Sequence, residues 1–315
     1  MRKVLLSGIT PSGTTGLHIG NYFGAIKQFV DLQDTYDSYI MVADMHALTT
    51  VHEKDQLRKN IFDVTAAYLA CGLDPKKVKL FQQSEISVHG ELTWIFNCIT
   101  TMPYLERAVA YKDKVANGKE ASVGLFDYPM LMAADILLYD PAVVPVGADQ
   151  KQHVEFARDT ALKFNRIWGE TFIIPEPLIL EDTGIVPGID GRKMSKSYDN
   201  TIPLFASDSE IEKAVMSIVT DSSGEVPQNV YAIHRLLKTE SELAPLYDSN
   251  KGKYKALKDA LIEDLKLFIA PKRALYLELQ ANPHVVEKIL MDGSALVKEQ
   301  AHKKMMLIKE AVGLI

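Results

Sequence analysis

The chain has 315 residues, 47% hydrophobic and 24% charged, enough apolar material for a large core and more than one compact domain holds comfortably. With 35 Lys+Arg against 41 Asp+Glu the net charge is −6, so the whole-molecule field weakly repels a polyanion and any nucleic-acid contact must use a local basic patch. Two cysteines, Cys71 and Cys98, lie far apart and outside any C-x-x-C or Cys/His cluster, which argues against disulfide scaffolds, zinc ribbons and iron–sulfur sites.

The opening MRKVLLSG is basic with an apolar run too short for a signal peptide, and no later stretch reaches the about 18 to 20 apolar residues that span a bilayer. The expectation is a soluble, cytoplasmic protein. Val4, Leu5 and Leu6 read as a buried strand that stops at Ser7-Gly8, and Thr10-Pro11-Ser12-Gly13 breaks regular structure. From His18 on, Ile19, Phe23, Ile26 and Val30 recur at the spacing of one helix face. The same pattern repeats with a strand over 38–42, an amphipathic helix over 56–69 and a strand over 78–81. An insertion over about 99–136 is expected to be helical in places and interrupted by Pro103, Gly118, Gly124 and Pro129. A further strand over 143–146 feeds a helix marked by Val154, Phe156, Ala157 and Leu162.

Strands alternating with helices predict βαβ units and a parallel sheet, with ligands at the carboxyl ends of the strands. Those ends carry residues 8–13, 44–46, 82–85 and 147–150. After Lys196 helical periods dominate, as in Leu257, Leu261, Leu265 and Phe268, then Val297, Ala301, Met305, Ile308 and Val312. The expected division is a catalytic domain over 1–200 and a helical domain over 201–315. No internal repeat or low-complexity tract is present, which disfavours a solenoid.

Two segments carry chemistry. The Gly-rich loop over 8–16 leads into His18-Ile19-Gly20-Asn21, a helix start whose N–H groups attract phosphate; His18 and Asn21 can donate to it and Gly20 leaves room for a flat base. The loop is neither G-x-x-x-x-G-K-[ST] nor G-x-G-x-x-G, and by itself it is equally an ordinary turn with a capping histidine. Lys193-Met194-Ser195-Lys196-Ser197, after the flexible residues 188–192, sets two lysines three apart where they can neutralise a leaving pyrophosphate. Alone, that stretch is a solvated basic loop.

Together, in this order, the two segments resemble the HIGH and KMSKS signatures of class I aminoacyl-tRNA synthetases. Gly8-Ile9-Thr10-Pro11-Ser12-Gly13, His18-Ile19-Gly20-Asn21-Tyr22, residues 131–137 (LMAADIL) and residues 145–153 (PVGADQKQH) are similar to the bacterial-type tryptophanyl branch over essentially the whole chain. The resemblance implies an α/β fold with a Rossmann-like parallel-sheet catalytic domain and a smaller all-helical anticodon-binding domain. It implies ATP-dependent activation of L-tryptophan and transfer to tRNA(Trp) by a homodimer, with Mg2+ held by the ATP phosphates rather than by the protein.

It also implies roles for matching residues. His18, Lys193 and Lys196 would be catalytic. Thr10, Pro11, Ser12, Gly20, Asn21, Gly147, Ala148, Asp149, Val186, Met194, Ser195 and Ser197 would join the lysines around ATP, and Lys112 and Lys114 would approach phosphate. Asp135, in an apolar run, is a buried carboxylate that needs a donor, and the indole N–H supplies one. Met132, Val144, Val146 and Leu6 would wall the ring, Leu6 standing where the family often has an aromatic residue. Gln150 would hold the α-amino group, and Asp44 and His46 lie at a strand end where the ammonium or a ribose fits.

Lys251, Lys253, Lys255, Lys298, Lys303, Lys304 and Lys309 are candidate tRNA-phosphate contacts, and residues 92–103 a candidate dimer contact. The rivals are a tyrosyl-tRNA synthetase, a small-molecule adenylyltransferase without a tRNA domain, and a non-catalytic tryptophan sensor. Tyrosine calls for polar groups around a phenol, and a sensor has no use for the intact phosphate apparatus.

Overall fold

The computed structural model describes residues 2–11, 16–108, 111–112, 122–146, 151–179, 186–220 and 224–315. Five strands, β1 Val4–Ile9, β2 Asp37–Val42, β3 Val78–Gln82, β4 Val143–Val146 and β5 Glu176–Ile179, form one parallel sheet in the order β3-β2-β1-β4-β5. β1 runs past the expected stop at Ser7-Gly8, because Ser7, Gly8 and Ile9 remain in register with Ile40, Met41 and Val42 of β2. β5 had no sequence signal: it has four residues, and Pro177 removes one ladder donor, which an edge strand tolerates.

The pleat sends alternate residues to opposite faces. Leu5, Ile40 and Leu80 join Ile19, Ile26, Leu69 and Leu265 on one side; Leu6, Tyr39, Met41, Phe81 and Val144 join Met130, Ala133, Leu137 and Phe164 on the other. A sheet buried on both faces reads in sequence as short continuous apolar runs, which is the pattern of residues 4–6 and 40–42.

The helical run expected from His18 is composite: a turn Ile19–Asn21, a π-helical stretch Tyr22–Ile26, then Lys27–Leu32. The π stretch coincides with a ring cluster in which Tyr22 and Phe23 both pack on Phe268 of the helix Tyr254–Ala281. The helix over 56–69 is realised as Lys54–Ala70.

Within the insertion, Pro129 does not interrupt the chain as expected, since Val123–Leu137 is one helix with Pro129 buried inside it. The loss of about 3 kcal/mol from an interior proline is outweighed by packing of the helix between Val88–Ile99 and Lys151–Trp168. Pro103 sits in the first turn of Met102–Leu105, where its missing N–H costs nothing, and Gly124 lies in the first turn of Val123–Leu137. Gly118 falls outside the described residues.

The helices Asp208–Met216, Gln228–His234, Glu240–Ser249, Tyr254–Ala281 and Pro283–Val312 follow. The last crosses the β3 edge of the sheet: Val286 and Leu290 enter the core on one face, Val297, Ala301 and Met305 the core on the other. At the crossing a Cβ on Gly293 would lie 1.8 Å from the Leu80 carbonyl oxygen, and Ser294 Oγ accepts the Gln82 N–H at 3.2 Å. An edge strand is thereby covered and its backbone partly satisfied.

Candidate active site

Between β1 and β4 the strand order reverses, and the two strands share only the pair Leu5↔Val143 before their carboxyl ends part. A crevice at such a switch point is where open parallel sheets bind ligands. A cavity of about 490 Å³ opens there. It gathers Leu6, His46, Met132, Asp135, Val144 and Val146, residues drawn from separate stretches of the chain, and Thr10 and Ala25 line it as well.

Asp135 is the chemical centre of this cavity. It is 1% exposed. His46 Nε2 lies 2.8 Å from Oδ2, His89 Nδ1 lies 2.6 Å from Oδ1, and Gln83 Nε2 donates to both oxygens at 2.8 and 2.9 Å. Burial pushes its pKa up, but His89 and His46 outweigh burial and bring it from 3.8 down to about 2, so the carboxylate is charged at neutral pH. These three side chains make four contacts to a group with about four acceptor positions, so a donor from the cavity would share an oxygen with one of them. His89 Nε2 contacts the Tyr139 hydroxyl at 2.9 Å, and Gln83 Oε1 accepts the Met45 N–H at 3.0 Å, so the partners are themselves held.

His46 lines the cavity while its Nε2 is spent on Asp135. Asp44, expected near the ammonium or ribose, is engaged elsewhere. Its carboxylate accepts from Ser84 N at 3.0 Å, Ser84 Oγ at 2.6 Å and Gln82 Nε2 at 2.7 Å, tying the ends of β2 and β3.

Gln83, His89, Tyr128 and His153 went unassigned in the sequence. Tyr128 and His153 line the cavity, with the Tyr128 hydroxyl 2.6 Å from His153 Nε2. Gln83 lies at a strand end already marked as the binding rim; His89, a lone histidine on an apolar helix, carried no signal.

The second constellation joins the two signature-like segments. Residues 17–19 run antiparallel to 202–204, with Ile19 N donating to Ile202 O at 3.0 Å and Leu204 N to Leu17 O at 2.8 Å. His18 is 8% exposed. Burial and then the charge of Lys196 lower its pKa from 6.5 to about 4, so the ring is neutral at pH 7. Its Nδ1 is buried beside the Gly20 backbone and has no hydrogen-bond partner among the described residues.

Asn21 Oδ1 accepts the His18 N–H at 2.9 Å, so only the amide N–H₂ of Asn21 is left for phosphate. At Gly20 a Cβ would meet His18 Nδ1 at 2.8 Å and Met194 Cβ at 3.3 Å, so the absent side chain lets both lie close to its backbone.

Residues 186–194 form a hairpin in which Met194 N donates to Val186 O at 2.8 Å. Val186 and Met194 are buried, and Lys193, Lys196 and Ser197 are exposed beyond them. Pro11 O accepts Asn60 Nδ2 at 3.1 Å, anchoring the start of the Gly-rich loop. Lys112 is exposed next to Tyr111, whose ring packs edge-on against Phe126. Ser12, Lys114, Gly147, Ala148, Asp149 and Gln150 lie outside the described residues.

Among the candidate tRNA-facing lysines, Lys304 is corrected. It is 9% exposed and bonds Asp140 at 2.6 and 2.8 Å and Thr171 O at 2.6 Å, a structural clamp. Lys251, Lys255, Lys303 and Lys309 are each paired with a carboxylate. Among the described residues no group of three His, Cys, Asp or Glu is placed to hold a metal, and no helix is long and apolar enough to cross a membrane.

Residues 2–271 match the family described as tRNA synthetases class I (W and Y). A tryptophan–tRNA ligase of Fusobacterium nucleatum is 47% identical, the alignment covering 99% of this chain and 98% of that protein. One from Rhodopirellula baltica is 44% identical over 94% of this chain and 95% of its own length. The crystal structure of Campylobacter jejuni tryptophanyl-tRNA synthetase complexed with ADP and tryptophan superposes with a TM-score of 0.91 at 43% identity, covering 98% of this chain and 99% of that one.

Proposed function

Because this chain belongs to the class I aminoacyl-tRNA synthetases, in their tryptophanyl branch, we propose that it is a tryptophan–tRNA ligase whose first step takes place in the β1/β4 crevice. The observation that carries this reading is the cavity itself: a buried, ionised carboxylate set between Met132, Val144, Val146 and Leu6. That is the environment an indole needs, an apolar slot with one acceptor for its N–H. A phenol O–H is also a donor to a carboxylate, so the choice of tryptophan over tyrosine rests on the relatives named tryptophan–tRNA ligase.

The tryptophan carboxylate oxygen attacks the α-phosphorus of ATP in line, forming the acyl-phosphate bond as the bond to the β-phosphate oxygen breaks and pyrophosphate leaves. A terminal ribose hydroxyl of tRNA(Trp) then attacks the activated carbonyl, and AMP departs. No protein nucleophile is involved. The contribution of the protein is orientation and charge.

In this reading neutral His18 donates one N–H to the phosphates, and Lys193 and Lys196 stabilise the leaving pyrophosphate. Thr10, Pro11, Ser12, Asn21, Gly147, Ala148, Asp149, Val186, Met194, Ser195 and Ser197 shape the ATP site. Gly20 leaves room for the base against its backbone, and Lys112 and Lys114 approach the phosphates from the insertion. Gln150 takes the α-amino group, and His46 fixes Asp135 as well as walling the ring. Mg2+ arrives on the ATP phosphates.

The helical region after residue 200 holds the tRNA anticodon stem, with Lys253 and Lys298 among its contacts. The protein works in the cytoplasm as a homodimer. Trp94 and Met102, exposed by 71% and 63%, fall within residues 92–103 and suit a second copy.

Amino-acid-dependent ATP–pyrophosphate exchange without tRNA tests the proposal. Exchange with tryptophan alone is expected. Exchange with tyrosine transfers the assignment to the tyrosyl branch, and none with any standard amino acid refutes it.

A further inference from the structure

We propose that Asn200 is the positioning residue that holds Lys193 and Lys196 over the phosphates, an inference that rests on those lysines acting on the leaving pyrophosphate. Asn200 is 1% exposed, three residues beyond the second signature-like segment. Its Oδ1 accepts the Ser195 N–H at 2.8 Å, and its Nδ2 donates to Lys193 O at 3.1 Å and to Asp190 Oδ1 at 2.7 Å. Its main-chain oxygen accepts the Ile189 N–H at 3.0 Å.

One side chain therefore ties the backbone immediately before and immediately after Met194 and bonds the tip of the 186–194 hairpin as well. The tip is braced in turn: Arg192 contacts Asp190 Oδ2 through Nε at 2.7 Å and Nη2 at 2.6 Å.

The hairpin is shaped around this amide. A Cβ on Gly188 would lie 2.3 Å from Asn200 Nδ2 and 2.6 Å from its carbonyl oxygen, so residue 188 has to be glycine for Asn200 to reach its partners. Met194, 4% exposed, then presses on the Gly20 backbone beside His18. The result is a stiff main chain from which the exposed Lys193 and Lys196 side chains project. A polar, solvent-facing loop without such a buried fastener would have to be ordered at every turnover. Fixing it beforehand removes that cost from the step in which charge develops. The fastener uses all three of its bonds on main chain or on Asp190, and none on substrate, so its effect is through the lysines.

The test compares Asn200→Ala, Asn200→Asp, Asp190→Asn/Asn200→Asp and Lys196→Ala in the full chain by steady-state pyrophosphate exchange, tryptophan binding by calorimetry and melting temperature. Asn200→Asp nearly conserves volume, keeps the acceptor for Ser195, loses both donor bonds and opposes Asp190; it is the variant to read if the alanine protein does not fold. Loss of the fastener is expected to lower the exchange kcat by about 10²-fold, the order that a small misplacement costs, with tryptophan affinity within about twofold of wild type. The double variant restores a 190–200 hydrogen bond with its polarity reversed but turns an N–H₂ toward the Arg192 N–H that Asp190 Oδ1 accepts at 3.0 Å, so it should recover only part of the loss, about twofold or more over Asn200→Asp.

Unchanged kcat in both Asn200 variants, with Lys196→Ala strongly impaired, overturns the role of Asn200 and leaves the lysine reading standing. Equal losses in kcat, tryptophan affinity and melting temperature also overturn it, because they mark a fold defect. Full exchange in Lys196→Ala removes the lysine reading and this inference with it.

Discussion

Replacing Asp135 by an asparagine keeps the shape of the cavity and removes its charge. In the wild type the carboxylate pKa lies at about 2 instead of 3.8, which corresponds to about 2 kcal/mol of preference for the charged form in the folded state. The amide has a second defect. Gln83 donates to both carboxylate oxygens, so whichever way the introduced amide is turned, its N–H₂ faces a donor. Uncompensated buried pairs of this kind cost about 3 kcal/mol or more. For a chain of this length, with an unfolding entropy of about 2 cal/mol/K per residue, that is a fall in melting temperature of roughly 5 °C.

The pH dependence has a definite sign. A carboxylate with a depressed folded-state pKa contributes stability that is complete above 3.8 and disappears as pH falls through about 2. The stability gap between wild type and Asp135→Asn should therefore narrow by about 2 kcal/mol between pH 5 and pH 2. Chemical denaturation across that range, with exchange rates for tryptophan, tyrosine and phenylalanine near neutral pH, supplies the measurement. A site built on one buried hydrogen bond discriminates by roughly 10⁴ to 10⁵, and most of that should be lost. A gap that stays constant with pH refutes the electrostatic account. A narrowing gap with full discrimination leaves Asp135 structural and takes it out of substrate recognition.

Gly293→Ala adds a methyl group 1.8 Å from the Leu80 carbonyl oxygen, so the last helix must lift off β3. The loss should be about 3 kcal/mol, exceeding the gain of about 1 kcal/mol in helix propensity, and a denaturant midpoint equal to wild type would contradict the close approach. Trp94→Glu should weaken self-association about 30-fold or more by sedimentation, as truncating a buried aromatic anchor does; an unchanged dimer places the interface elsewhere. Lys304→Met, which leaves Asp140 without its buried ammonium, should destabilise the chain by about 3 kcal/mol in thermal melts while tRNA affinity is unchanged. A selective loss of tRNA binding would return Lys304 to the interface.

The strand–helix alternation, the parallel sheet and the two signature segments were legible in the sequence because each rests on a local rule. Apolar runs bounded by Gly and Pro mark strands buried on both faces, and three- and four-residue spacing marks a helix face. Asp135 was legible for a similar reason, as a carboxylate in a hydrophobic run demands a partner wherever it ends up, whereas the apolar wall residues were marked by the family resemblance alone.

What the sequence could not contain is which groups meet. Gln83 and His89 become partners of Asp135 only when β3, Val88–Ile99 and Val123–Leu137 pack together, and local patterning says nothing about that encounter. Asp44 sits at the expected rim but is consumed by Ser84 and Gln82, a competition decided by strand register. Gly188 looks like loop flexibility in sequence, whereas in the fold it is the gap filled by the Asn200 side chain. Pro129 follows the same logic in reverse, its local penalty overruled by burial between two helices. Local covalent preference thus set the elements and the chemical types at the site; long-range packing alone chose their hydrogen-bond partners.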